Sequence, residues 1–259
     1  MELIIASKQN EIANVDKILN NSSSIEINYR DESGSTAVLY AAAAGYAEIV
    51  CLLINFNADV NIADDGLSTP IILASANGHF EVVDLLLQVN AEKDKRDKYG
   101  STALILASMN GHEKVVQLLI ESKADVTIAD LDGNTPLHSA ILLEGGDEDI
   151  IVRNIIVQKL IDASAEVNAI DKYGNSPLYW ATIKEYIQIV EMLVDANADV
   201  NIKNMYGERP IDTVTDNEEL KALLSNSQGK VPLVTDTEKS STSSSISNRN
   251  GENYFIYDL

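Results

Sequence analysis

Three histidines, one cysteine and a run of carboxylates are the side chains of this 259-residue chain whose types could do chemistry. His79, His112 and His138 could shuttle protons or bind a metal through an imidazole nitrogen. Cys51 could act as a thiolate nucleophile, and Asp147, Glu148 and Asp149 could gather a hard cation. Their spacing argues against each role. His79 and His112 stand 33 residues apart, each directly after a glycine, and no C-x-x-C, H-E-x-x-H or EF-hand pattern accompanies them. Three adjacent acids ahead of an apolar stretch match the positive end of a helix beginning near Asp149. Neither G-x-G-x-x-G nor G-x-x-x-x-G-K-[ST] occurs, so nucleotide phosphates find no glycine-rich cradle. No catalytic residue, metal site or cofactor is assigned.

The interval that relates the two histidines runs through the chain. Thr36, Thr69, Thr102 and Thr135 follow one another at 33 residues, each opening a similar apolar stretch. Units begin at Asp31, Asp64, Asp97 and Asp130, and DKYGNSPLYWA opens a further one at Asp171. Thr69 before Pro70 reads as an N-cap followed by a proline at the first helical position, so a helix is predicted from there to about Asn77, where Gly78 ends it. A second helix near His79 to Gln88 puts Val82, Val83, Leu85 and Leu86 on one stripe, with Glu81, Asp84 and Gln88 opposite. Such a pair is too small to fold alone and must bury its stripe against equivalent pairs. Cys51 aligns with Asp84, Gln117, Gln158 and Glu191, so it should face solvent. Nearby Glu48 disfavours its thiolate.

A 33-residue period with a D-x-x-G-x-T-P-L-H-x-A-like head, a G-H turn and an A-D-V-N tail resembles the ankyrin repeat. Asp130 to Ala140 carries the fullest match, with Thr135, Pro136, Leu137 and His138 together. The resemblance implies an all-α ankyrin-repeat solenoid of stacked helix-turn-helix units with β-hairpin-like loops. Five full repeats are predicted over 31–203, preceded by a degenerate capping repeat in 1–30 and followed by a capping repeat in 204–227. It also implies that the three histidines bridge neighbouring loops and helices. The asparagines of A-D-V-N, Asn61 and Asn201, resemble sites hydroxylated in other such repeats.

Forty acidic residues against nineteen basic give a net charge of −21. A field of that sign repels phosphate backbones and anionic lipid, so nucleic-acid binding is not expected, and it speeds association with a basic partner. The charge also serves solubility alone. A single cysteine excludes an intrachain disulfide and points to a reducing compartment. No apolar run reaches membrane-spanning length. A monomeric cytoplasmic protein is the expectation.

Residues 228–259 are rich in serine and threonine and offer little apolar surface to offset ordering, which predicts disorder. The last residues differ, because Tyr254, Phe255, Ile256, Tyr257 and Leu259 form an apolar hook. Three readings of it stand. Tyr-Asp-Leu resembles a peptide ligand of PDZ domains, the hook could fold back on the last repeat, or the tail could direct delivery into a host cell, as in effectors of intracellular bacteria.

The resemblance also maps a protein-binding groove. Loop tips and exposed first-helix positions correspond to Glu32, Ser33 and Ser35; Asp65, Gly66 and Ser68; Lys98, Tyr99 and Ser101; Leu131, Asp132 and Asn134; Lys172, Tyr173 and Asn175; and Met205, Tyr206 and Glu208. The later sets place Tyr99, Leu131, Tyr173 and Tyr206 in an aromatic-apolar row flanked by Lys98 and Lys172, a composition typical of interface hot spots. Met109, Leu142, Ile183 and Trp180 continue this face, although Trp180 could equally pack between repeats. Two irregularities interrupt the array. Thr135 to Ala165 spans 30 residues where Thr36 to Ala58 spans 22, an insertion around 142–150 that either sets specificity or is a tolerated surface change. Glu185 stands where Gly45, Gly78 and Gly111 stand, at a cost of about 1 kcal/mol if the backbone is left-handed.

Overall fold

The computed structural model describes residues 1–21, 26–143 and 149–227. Its order is α1 (Glu2–Lys8), α2 (Ile12–Asn21), α3 (Ala37–Ala43), α4 (Ala47–Asn55), α5 (Pro70–Ala76), α6 (Phe80–Gln88) and α7 (Ala103–Met109). There follow α8 (Glu113–Glu121), α9 (Pro136–Ile141), α10 (Ile150–Asp162), α11 (Pro177–Ile183), α12 (Ile187–Asp195), a 3₁₀ turn (Pro210–Thr213) and α13 (Glu218–Ser227). No strand occurs among the described residues. First helices stack in one row, α1 on α3, α5, α7, α9, α11 and the 3₁₀ turn in succession, and second helices stack in another from α2 to α13.

This stacking closes one continuous core from Leu3 to Leu224. The predicted stripe holds. Val82, Val83 and Leu86 of α6 are buried with Ile71 and Ile72 of α5, and Leu85 lies half-buried at its edge. Each such side chain removed from water contributes about 1.5–3 kcal/mol, and much of that surface is buried only by the neighbouring pair.

The helix starts follow the Thr-Pro expectation with one exception. Thr36, Thr102, Thr135 and Ser176 accept from Leu39 N–H, Ile105 N–H, His138 N–H and Tyr179 N–H. Thr69 has the right backbone for an N-cap but makes no side-chain bond, and its buried Oγ1 has no partner among the described residues. Pro70 and the stacked core, rather than a cap, start α5.

Comparing α10 with its equivalents locates half of the insertion. The second helices α4, α6, α8 and α12 have nine residues each, and α10 has thirteen. The added turn begins after Asp149, whose side chain makes no capping bond. Asp147 and Glu148, read as helix-opening acids, lie outside the described residues. The turn leaves Ile151 and Ile155 exposed and inserts Arg153 into the core. The Arg153 guanidinium is buried, donates to the Leu143 carbonyl at 2.8 Å and lies over the Tyr186 ring at 4.4 Å.

Glu185 has φ 55°, the left-handed conformation that Gly45, Gly78 and Gly111 adopt in the equivalent turns. Glycine there has a second reason. A Cβ on Gly45 would fall 2.5 Å from Nδ1 of His79, and one on Gly78 would fall 2.5 Å from Nδ1 of His112. Each histidine ring thus fills the side-chain space of the preceding repeat's turn glycine.

Candidate functional site

The loop tips are built on a carboxylate that opens each unit. Asp31, Asp64, Asp97, Asp130 and Asp171 each accept the backbone N–H groups two and four residues on, for example Tyr99 N–H and Ser101 N–H on Asp97 Oδ1 at 2.8 Å each. Asn204 does the same with its amide oxygen at 3.0 Å for both bonds. An oxygen at that position satisfies donors that a tight turn leaves unpaired. Two arginines reinforce the turns. Arg30 and Arg96 donate through Nε to the carbonyls of Gly34 and Gly100 and through Nη2 to Ala63 and Ala129 in the following repeat.

Adjacent tips are then tied together. Asp65 N–H donates to Ser33 O, Lys98 N–H to Gly66 O, Leu131 N–H to Tyr99 O, Lys172 N–H to Asp132 O and Met205 N–H to Tyr173 O, at 2.8–3.0 Å. The ladder fixes the backbone and leaves the side chains outside. Tyr99, Leu131, Met205 and Tyr206 are between 63% and 73% exposed, and Tyr173 is 44% exposed. Lys98 Nζ lies 5.0 Å from the Tyr99 ring centre, and Lys172 Nζ lies 4.9 Å from that of Tyr173. Lys172 also pairs with Asp132 at 2.6 Å, and that bond holds its ammonium above the usual lysine range. Met109 and Ile183, on the first helices, are about two-fifths exposed.

Several mapped positions sit elsewhere than expected. Ser35, Ser101 and Asn175 are buried, because the turn points them inward. Trp180 is half-buried, packs edge-on against Tyr179 and donates its indole N–H to Asp171 at 2.9 Å. Tyr40 makes the same contact with Asp31 at 2.8 Å, so this aromatic position braces its own turn. Burial pushes the Asp171 carboxyl up, yet bonds from Asn175, Trp180 and Tyr173 outweigh it and leave the group below the usual carboxylate range. Burial, then the bond to Glu208, pushes Tyr179 up to about 12.

Sequence comparison missed Leu67. It is exposed and has φ 59° at the tip position that Gly34, Gly100, Gly133, Gly174 and Gly207 occupy in the other repeats. The signal was there, since Gly66 falls one residue early in DDGLS. An exposed apolar side chain thus stands at the tip of the second repeat as well.

Among the described residues, none of those singled out for chemistry meets a partner for it. His79 and His112 donate through Nε2 to the carbonyls of Ala43 and Ala76 in the preceding repeat, at 3.1 and 3.0 Å. Cys51 is exposed, with Asn55 Nδ2 at 3.7 Å from its sulfur. Among the described residues no group of three or more histidine, cysteine or acidic side chains is placed to hold a metal, and no helix is long and apolar enough to cross a membrane. The tail residues Tyr254, Phe255, Ile256, Tyr257 and Leu259 lie outside the described residues. What the tips can do is recognition, since rigid apolar rings beside ammonium groups gain by being covered.

A family model for ankyrin repeats in three copies matches residues 3–97, 89–153 and 150–204. The chain belongs to the ankyrin-repeat family, whose repeats are generally protein–protein interaction modules and typically non-catalytic. An ankyrin repeat domain from Acinetobacter baumannii AYE is 34% identical with a TM-score of 0.70, covering 76% of this chain and 98% of that one. The ankyrin repeat domain of Bcl-3, a member of the IkappaB family, is 25% identical with a TM-score of 0.75, covering 87% and 98%. The human ASB11 ankyrin repeat domain, at 19% identity and a TM-score of 0.72, shares the fold over 88% of this chain and 98% of that one. A search of curated proteins returned no match.

Proposed function

We propose that this chain is a non-catalytic adaptor that holds a protein partner across its loop tips, from Leu67 through Tyr99, Leu131 and Tyr173 to Tyr206. The observation that carries the reading is the hydrogen-bonded ladder beneath those side chains. A backbone already ordered before binding spares the partner's contacts the entropy of ordering the surface. Exposed tyrosines at fixed spacing supply area at low conformational cost. The flanking charge favours a basic partner, because residues 1–92 carry thirteen acidic side chains against three basic ones. Affinity purification on the full chain, with mass spectrometry, would name the partner. Tyr99→Ala combined with Tyr173→Ala is expected to weaken its capture by about tenfold or more. Capture undiminished by that pair would count against the reading.

A further inference from the structure

The apolar row has a candidate occupant within the same chain. We propose that Tyr254, Phe255, Ile256 and Tyr257 cover the C-terminal end of their own loop-tip row, at Tyr173, Met205 and Tyr206, in the absence of a partner, so that partner binding there competes with the tail. This rests on the row being a docking surface.

Four observations converge on this segment. The row begins at the C-terminal cap, where Met205 and Tyr206 are the most exposed of its side chains apart from Leu131. The described chain ends at Ser227, the last residue of α13. In the preceding repeat it passes from the end of α12 at Asp195 to the tip at Met205 within ten residues, and α13 packs beside α12 as the next second helix. Reach is ample, because 26 residues separate Ser227 from Tyr254 and extended chain covers about 3.3 Å per residue, against helix layers about 10 Å apart. Charge also selects this segment. Residues 228–259 hold four acidic and three basic side chains, so the solenoid's negative field repels them little.

The energetics suffice with a weak contact. A linker of this length gives an effective concentration on the order of 1 mM, so a segment binding its row at about 0.1 mM would occupy it roughly ten times as often as not.

The test uses a fluorescein-labelled synthetic peptide of residues 248–259 and two full-length proteins. One is unaltered and the other carries Tyr254→Ser, Phe255→Ser, Ile256→Ser and Tyr257→Ser. The peptide is expected to bind the serine variant about tenfold tighter, because its row is open, and to lose that binding when Tyr173→Ala and Tyr206→Ala are added. Circular dichroism melting checks that all variants fold. Equal affinity for the two proteins, or no binding to either, would overturn the proposal. So would a wild-type chain whose tail-dependent association grows with concentration, since the occupant would then be a second copy. The adaptor reading fails separately, through partner capture that ignores Tyr99→Ala and Tyr173→Ala.

Discussion

His138 Nε2 donates to the carbonyl of Asn175 at 3.2 Å, joining the head of one repeat to the turn of the next across the insertion. Its Nδ1 accepts from Thr135 N–H at 3.3 Å, which fixes the neutral tautomer with the proton on Nε2. The ring is fully buried. Burial lowers its pKa below the usual histidine value, and the bond to Asn175 and the charges of Asp171 and Asp130 offset this only in part.

That depression makes stability pH-dependent. Below about 6.5 the unfolded chain takes up a proton that the folded chain refuses, so stability present above that pH is lost as pH falls from there towards the folded value. The loss cannot exceed about 1.4 kcal/mol per pH unit, or about 2 kcal/mol between pH 6.5 and 5. Urea unfolding at pH 7 and pH 5 is expected to show it. His138→Leu should be less stable at pH 7 and should lose less than the wild-type chain on acidification. Asp171, whose folded pKa is lowered, adds a separate loss only below about pH 4.

The turn carboxylate gives a second prediction with an internal control. Asp97→Ala removes the acceptor for two backbone N–H groups and is expected to cost about 1–3 kcal/mol. Asp97→Asn should retain most of that stability, because Asn204 already does the same work with an amide oxygen. Equal losses from both variants in urea titrations would show that the charge, and not the acceptor geometry, holds the turn.

The repeat period made the fold legible because each layer repeats the same burial problem. It placed Cys51 on the surface and put the start of α10 near Asp149, its N-cap. It also mapped loop tips by residue count, and count alone cannot tell which side of a turn faces in. Asp97 accepts both Tyr99 N–H and Ser101 N–H, yet Ser101 goes under the turn next to the first helix while Tyr99, at the tip, stays out. Trp180 was ambiguous for another reason: only the position of Asp171 beside its indole decides where the N–H points. The pairing of turn glycines with the next histidine joins residues 34 apart, a relation visible in the letters once the stacking is known.

That pairing predicts opposite outcomes at equivalent turns. Gly78→Ala adds a Cβ 2.5 Å from the His112 ring and strains a φ of 72°, so a loss of about 2 kcal/mol or more is expected. At Glu185 no histidine of the next layer fills the space, since the cap brings Asn217, whose amide donates to the Glu185 carboxylate at 3.3 Å. Glu185→Gly relieves a left-handed φ and gives up only that exposed bond. A gain of up to about 1 kcal/mol is expected from thermal unfolding.

Leu67 joins stability to recognition at one residue. Its left-handed φ of 59° costs about 1 kcal/mol that glycine would not, and its side chain, 54% exposed, recovers only part of that strain by burial. Leu67→Gly is therefore expected to raise the urea midpoint. If the proposed row reaches the second repeat, the same change should weaken partner capture severalfold. A variant that gains stability with capture unchanged would end the row at Tyr99. Neither gain nor loss would mean that the loop adjusts around either residue.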